Sequence, residues 1–565
     1  MRRFLRLILI SGFLFMLVFG GGIWAGVELR RQLDKPLSIA SHIHWRVIGF
    51  YNSMFRAGSS ESTKVFTNRV RLKVDTFFLP LDVAGKAGGI TVVGGTSVVV
   101  LDRQGTMFLV TDGMAEPLDV ATPDNNMAAL RRQFDDGRFG EARIDYEWFR
   151  YNDVLHVSDS TGDWLILSYS HWNPEAFCQT SRLARLQLPA GSAPRDWRAT
   201  AQDWELVKET APCLPPRETG EALAGLEAGG RLVSLDPGRV AWSSGAYERD
   251  DAETAPYTQA LSQRLDSDYG KVLEVTLETG DTRILARGLR NPQGLTMDRN
   301  GQLWVTDHGM RGGDELNRVV EGANFGWPAV TYGTHYNTRP AVNSERHGGH
   351  AGYDLPTAVF VPSVAPGSAL AVSDFNYAWE GDILIGGFNG NLYRVHNGER
   401  DGMVIEEIPM GDIRLRDMDR LADGRIVIWT DDRRIIYLTN DTRQTPADVL
   451  LSRISALEDT ALRASLDSMS ETCLRCHGLA EGEILAGPSL HGICGAEPGS
   501  ADYDGYSGAL AAVPAPWSTE SLARFIENPE AVAPGNSMAW SGASPRASQA
   551  MAELLCALQS NQGAG

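Results

Sequence analysis

Cysteine is scarce in this sequence, six residues in a chain of 565. So few thiols exclude a disulfide-built scaffold and let each one be read singly. Basic charge is short as well: 52 Lys and Arg stand against 71 Asp and Glu, a formal net charge of −19. Phosphate neutralisation needs clustered cations, so nucleic-acid binding is excluded as the main role. With 22% charged and 43% hydrophobic residues, the chain has ample apolar mass for a core and is not disordered. Long helical periodicity is missing between about residues 85 and 442, whereas 59 Gly and 27 Pro imply many turns and short strands. The length implies several domains.

One long apolar run exists. Arg2, Arg3 and Arg6 precede an uncharged stretch from Leu7 to Val27. As a helix that stretch is about 31 Å long, enough to cross a bilayer core. No small-residue cleavage site stands out before Glu28, so residues 1–32 read as an uncleaved signal-anchor transmembrane helix. Basic flanks stay cytoplasmic, which puts the rest of the chain outside the cytoplasm. The expected placement is the inner membrane, single-pass, with both large domains in the periplasm. Residues 33–84 read as a linker and lead-in.

Between 85 and 442 a pattern recurs: a turn glycine, then alternating apolar residues. Its copies begin at Gly105, Gly162, Gly238, Gly301, Gly381 and Gly424, as in Gly424-Arg-Ile-Val-Ile-Trp429. Glycine supplies positive φ at the turn, and β-branched or aromatic residues favour the strand after it. Six such copies predict six four-stranded blades around an axis, a β-propeller. Ligand sites in such folds lie on loops at the channel mouth. The richest loop region runs from Arg290 to Pro328. There Asp314 and Glu315, beside glycine-rich backbone, read either as hard oxygen ligands for calcium or as a solvated acidic turn.

This region resembles the soluble quinoprotein glucose/sorbosone and aldose sugar dehydrogenases. The resemblance covers roughly 220 to 440 and is carried by Gly229-Gly-Arg-Leu232, Tyr269-Gly-Lys-Val-Leu273, the Arg290–Pro328 block, Pro362-Ser-Val-Ala-Pro-Gly367 and Arg414-Leu-Arg-Asp417. It implies a six-bladed propeller that binds pyrroloquinoline quinone (PQQ), a tricarboxylate, together with calcium. By the same resemblance Arg290, Asn291, Arg414 and Arg416 contact the quinone. The carbonyls of Gly309 and Met310 face its calcium, and Asp314 and Glu315 form a neighbouring calcium loop. Forked guanidinium groups suit carboxylates. The alternative is that these arginines simply pair with Asp417, Asp419 or Asp307. Three positions depart from the family. Met310 replaces its usual proline. Glu227 stands where it has a general-base histidine, and Phe388 where it has a lysine. Glu227 reads either as a base whose burial raises its pKa or as an ordinary turn residue.

Cys473-Leu-Arg-Cys476-His477 is a C-x-x-C-H motif, the attachment signal for haem c. Two thiols at that spacing form thioethers to one haem, and His477 ligates the iron. Leu462, Leu466, Met469, Cys473 and Cys476 repeat at helical spacing, so one apolar helix face carries the thiols. The segment 466–565 resembles a class I cytochrome c, a small all-α domain. Gly487-Pro-Ser-Leu-His-Gly492, Trp517 and Pro534-Gly-Asn-Ser-Met538 fall in the family order. That resemblance makes Met538 the distal ligand, ahead of His491 and Met551. Residues 443–465 read as a connector. In an oxidising compartment Cys494 is expected to pair with Cys556, and Cys178 with Cys213.

Together these readings describe an all-β six-bladed propeller followed by a cytochrome c domain. The expected function is a membrane-anchored quinohaemoprotein oxidoreductase. It oxidises a sugar or alcohol at a PQQ–calcium site and passes electrons to haem c, then to a cytochrome or the respiratory chain. The alternative is a catalytically inactive propeller that serves as the scaffold of an electron-transfer cytochrome.

Overall fold

A computed structural model describes residues 58–80, 87–159, 162–217, 221–223, 225–249, 259–336, 350–398, 402–442 and 445–560. The apolar run Leu7–Val27 lies outside the described residues; among those described, no helix is long and apolar enough to cross a membrane. The chain divides into two compact units. Lys73–Ala371 and Ile383–Thr439 make most of the first; Phe66–Leu72, Val372–Asp382 and the residues from Asn440 onward make the second.

In the first unit, six sheets, antiparallel but for the short strand Ala323–Asn324, open with Gly89–Gly94, Tyr151–Asp159, Gly229–Asp236, Pro292–Met297, Pro366–Ala371 and Leu415–Arg420. Each opening strand packs against the next, and the last packs against the first, so the six form a closed ring. That ring makes the unit a six-bladed propeller. Blades stack face to face, so middle strands lose the usual in–out alternation and bury both faces. Ile383–Gly387 and Ile426–Thr430 are buried along their whole length. Apolar clusters fill the gaps between blades. One joins Val98, Val100 and Phe108 of blade 1 to Val427, Trp429 and Tyr437 of blade 6.

Five of the six glycine turns precede the second strand of a blade; Gly105 precedes the third strand of blade 1, Met107–Thr111. Both hairpin turns use the same local chemistry, so the repeat cannot tell them apart. Asp102 Oδ1 accepts from the backbone N–H of Gln104 and Thr106 at 2.8 and 3.0 Å, with Gly105 at φ 90°. Asp298 does the same for Asn300 and Gln302 at 2.9 and 3.0 Å. Aspartate side chains favour this turn because they satisfy backbone donors two residues on.

Part of the expected lead-in, 33–84, belongs to the propeller. Ser60–Phe66 and Arg71–Phe78 add two strands to the outer edge of blade 6, next to Arg434–Asn440. Arg71–Phe78 alternates buried and more exposed positions as a half-covered strand should. Closing the last blade with a strand from the other end of the chain locks the ring and covers the edge that Arg434–Asn440 would otherwise leave bare.

The second unit is helical: Pro446–Ser455, Thr460–Cys473, Thr519–Glu527, Pro529–Val532 and Pro545–Ser560. The expected connector 443–465 is largely part of it. Thr445 caps Pro446–Ser455 by a capping box with Asp448, and Leu450 and Ile454, one turn apart, are buried in the core. Asp459 caps the next helix by accepting from Ala461 and Leu462 N–H. That helix buries Leu466 and Met469 and ends at Cys473, so Cys476 lies in the following turn and not on the helix face. Cys494–Cys556 and Cys178–Cys213 are both disulfide-bonded.

If the strand Arg71–Phe78 closes the ring, truncating its buried Phe78, whose ring lies 5.1 Å from the Arg434 guanidinium, costs the whole unit stability. Phe78→Ala should lower unfolding free energy by about 3–5 kcal/mol in chemical denaturation.

Candidate functional site

In a closed ring of blades, the N-terminal ends of the six opening strands share one end of the central channel. Arg290 and Asn291 immediately precede the opening strand of blade 4, Arg414 that of blade 6, and Glu227 comes two residues before that of blade 3. The sequence therefore delivers these residues from distant blades to one mouth.

Hydrogen bonds tie the two basic pairs together. Arg416 Nη1 donates to Gln293 Oε1 at 3.0 Å, and Gln293 Nε2 donates to Asn291 Oδ1 at 3.0 Å. Arg416 and Arg414 share one carboxylate: Arg416 donates to both oxygens of Asp431 at 2.7 and 2.9 Å, and Arg414 Nε donates at 2.8 Å. Their partner is thus Asp431, not Asp417 or Asp419. Burial alone would raise the Asp431 pKa, but Arg416 and Arg414 bring it down to about 2. Both guanidinium carbons also lie 4.2 Å from the centre of the Phe388 ring. Phe388, at the position of the family's lysine, packs on two cations and adds none.

Arg290 is buried and donates Nη1 to the carbonyls of His308 and Gly309, each at 2.8 Å. Its Nη2 forms an ion pair with Glu227. Glu227 is only 3% exposed, so it is no ordinary turn residue; its other oxygen accepts from Glu248 N–H at 3.1 Å. Asp307 accepts from the backbone of Arg290 and Asn291 at 2.8 and 2.6 Å and so fixes the start of blade 4. Burial, with Glu315 next, raises its pKa to about 8. Burial lowers the neighbouring His308 to about 4, so its imidazole is neutral at pH 7.

The expected calcium ligands do not converge. Asp314 and Glu315 are successive residues of one strand and point to opposite faces. Asp314 is fully buried and saturated: it accepts from Gly309 N, Ser363 Oγ, Val364 N and Ala365 N at 2.7–2.8 Å. Glu315 meets His350 Nε2 at 3.2 Å and Asn317 Nδ2 at 3.1 Å. The Gly309 carbonyl serves Arg290, and Met310 packs against Ala246 and Trp327. Among the described residues, no group of three His, Cys, Asp or Glu is placed to hold a metal ion. These residues do not fit calcium. The basic residues do fit a planar polyanion such as PQQ, because three guanidinium groups face two carboxylates.

One mouth residue escaped the sequence reading. Arg150 immediately precedes the opening strand of blade 2 and is 3% exposed. A lone arginine in Phe149-Arg-Tyr-Asn152 has no motif around it; only the ring reveals that its position matches that of Arg414 and lies one residue from that of Arg290.

The second unit encloses a cavity of about 480 Å³ lined by Cys473, Cys476, His477, Met538, Trp540 and Tyr506, among others. Both cysteines are unbridged. His477 Nδ1 lies 2.8 Å from the Pro488 carbonyl. A carbonyl only accepts, so Nδ1 carries the proton and Nε2 keeps its lone pair for a metal. A Cβ on Gly487 would come within 2.8 Å of the His477 ring, so only glycine leaves the imidazole this position. His491 and Met551 line the same cavity. Thiol pair, oriented imidazole and apolar walls fit a covalently bound haem.

The profile of the family described as Glucose / Sorbosone dehydrogenase matches residues 152–437. An uncharacterised Synechocystis protein, slr1608, is 24% identical over 359 residues, which is 59% of this chain and 78% of that protein. Aldose sugar dehydrogenase YliI of Escherichia coli is 30% identical over 230 residues, 38% of this chain and 60% of the relative, so less than two thirds of its length is spanned. A cytochrome c of Stellaria longipes is 39% identical over 71 residues, 12% of this chain and 66% of the cytochrome.

Asp431 sits between two arginines, so Asp431→Asn should cost about 3–5 kcal/mol at pH 7 by leaving both cations without their carboxylate. Its folded pKa of about 2 lies below the ordinary 3.8, so this contribution is complete above 3.8 and is lost as pH falls through 2. Melting curves between pH 6 and about pH 2 should show the gap between wild type and variant narrowing.

Proposed function

The chain belongs to the glucose/sorbosone dehydrogenase family, and from that premise we propose that it is an oxidoreductase that oxidises a sugar or alcohol at the propeller mouth and passes the electrons to a haem c in its helical unit. The observation that carries the proposal is the pairing, in one chain, of a buried arginine cluster with a C-x-x-C-H cavity. The quinone would supply two-electron acceptance and the haem one-electron transfer. Arg290, Arg414 and Arg416 bind and orient the quinone carboxylates. Glu227 takes the hydroxyl proton of the substrate, and its ion pair with Arg290 keeps the carboxylate at the mouth. Neutral His308 beside them supplies no competing positive charge. In the helical unit Cys473 and Cys476 would attach the haem, and His477 and Met538, both lining the cavity, would hold its iron. On this reading the chain works in the periplasm, anchored by its N-terminal run, and delivers electrons to a further cytochrome or the respiratory chain. Two disulfides support an oxidising compartment.

A second reading has an observation in its favour. Arg414 and Arg416 are already satisfied by Asp431 and by the Phe388 ring, as a propeller that had become a mere scaffold would leave them. Calorimetric titration of the purified chain with PQQ, with and without calcium, separates the readings: micromolar or tighter binding supports the enzyme, and no binding supports the scaffold.

Two variant sets test the enzyme. In Cys473→Ser/Cys476→Ser, haem should no longer stay on the protein in denaturing gels. In Glu227→Gln, haem content should be unchanged, while sugar-driven haem reduction by the PQQ-loaded protein should slow about 10²–10⁴-fold. If no sugar or alcohol reduces the haem of the loaded wild-type protein, the enzymatic reading falls.

A further inference from the structure

The arginine at the start of blade 2 differs from its three counterparts. Arg290 has Glu227, and Arg414 and Arg416 share Asp431. Arg150 has no carboxylate partner among the described residues. It donates Nε to Asn152 Oδ1 at 3.3 Å and lies 5.2 Å from the Trp148 ring, while its Nη1 is buried with no acceptor. Asn152 Nδ2, on the same short segment, is a second buried donor with no acceptor. A buried cation and a buried amide left unpaired side by side are each costly. Both are explained at once if a ligand anion completes them.

Position says which ligand. Arg150, Arg290 and Arg414 stand at the starts of the opening strands of blades 2, 4 and 6, so alternate blades each bring a guanidinium to the same end of the channel. The site thus has four guanidinium groups and two carboxylates, Glu227 and Asp431. We propose that Arg150 Nη1 and Asn152 Nδ2 together bind a carboxylate of the quinone at the propeller mouth, replacing the cation that Phe388 fails to provide. This assignment rests on the quinone reading above. Arg150 lies just before, and Asn152 at the first residue of, the segment 152–437 that the family profile matches. Burial, and then the like charge of Arg416, pulls the Arg150 pKa down to about 9, as expected of a cation awaiting its anion near that arginine.

The test exploits the cost of an unpaired charge. Arg150→Met removes the charge and keeps much of the volume. The full chain with its haem is titrated calorimetrically with PQQ and, separately, with citrate as a simple tricarboxylate, and the melting midpoint of the quinone-free protein is measured. The expected result is a PQQ affinity about ten- to a hundredfold weaker, with a midpoint equal to or above wild type. A midpoint below wild type with unchanged affinity makes Arg150 structural and overturns the proposal. If both fall, Arg150→Lys decides. Restored stability without restored affinity supports the forked contact, and restoration of both overturns it. If wild type binds citrate through Arg150 but not PQQ, the carboxylate site stands and the quinone reading falls. If wild type binds neither, both fall.

Discussion

Everything distinctive about the propeller mouth follows from holding guanidinium groups out of water. A buried cation is tolerated only where anions, dipoles or a ring face compensate it. The compensation here is uneven. Asp431 serves two arginines, Glu227 serves one, and the Phe388 ring lies against the pair that already share a carboxylate. Such a cluster could not survive on flexible loops, where side chains would swing to solvent. It survives because each arginine lies within two residues of the first residue of an opening strand, and those strands are locked shoulder to shoulder. The closed ring is therefore the element that makes an electropositive interior possible.

Deeper in the channel the charges nearly balance. Arg231 lies between Asp153 and Asp417, at 2.8 and 2.7 Å, and also donates to the carbonyls of Gln293 and Arg416. One residue from blade 3 thereby ties blades 2, 4 and 6 together. Gly89 of blade 1 lies against the same group: a Cβ there would fall 2.0 Å from Asp153 Oδ1. Burial raises the pKa of both aspartates, Asp153 to about 8, so the two carboxyls and one guanidinium make a nearly charge-balanced tie at this level, and the cationic surplus stays at the mouth.

Local chemistry was legible in the sequence and long-range pairing was not. C-x-x-C-H places its own reactive atoms within five residues, and His477 needed only Pro488 and Gly487 nearby to fix its ring. Turn glycines were equally plain, since Asp and Gly do their work within a four-residue turn. What failed depended on partners far away. Nothing local marks Arg71–Phe78 as the neighbour of Arg434–Asn440, and the alternation in it only shows that one face is covered. Asp314 and Glu315 looked like a calcium pair because adjacency in sequence suggests adjacency of side chains; strand alternation sends them apart, and Asp314 is occupied by the turn Ser363–Ala365. Leu450 and Ile454 looked like connector because a ten-residue helix reads as polar until its one apolar stripe finds a core.

On the proposed reading, the two units divide the work along lines their physics already draws. The propeller offers a rigid, charged mouth suited to gripping a polyanion; the helical unit offers an apolar cavity with thiols and an oriented imidazole, suited to a large, flat, mostly apolar group held covalently. Each environment would serve the other cofactor badly: a charge-lined channel gives a porphyrin little apolar contact, and an apolar cavity gives a tricarboxylate no counter-charge. Keeping them as separate units preserves both, and joining them in one chain raises the local concentration of the electron acceptor. The second unit follows the first directly, from Asn440 onward, so the two are made together in equal amounts.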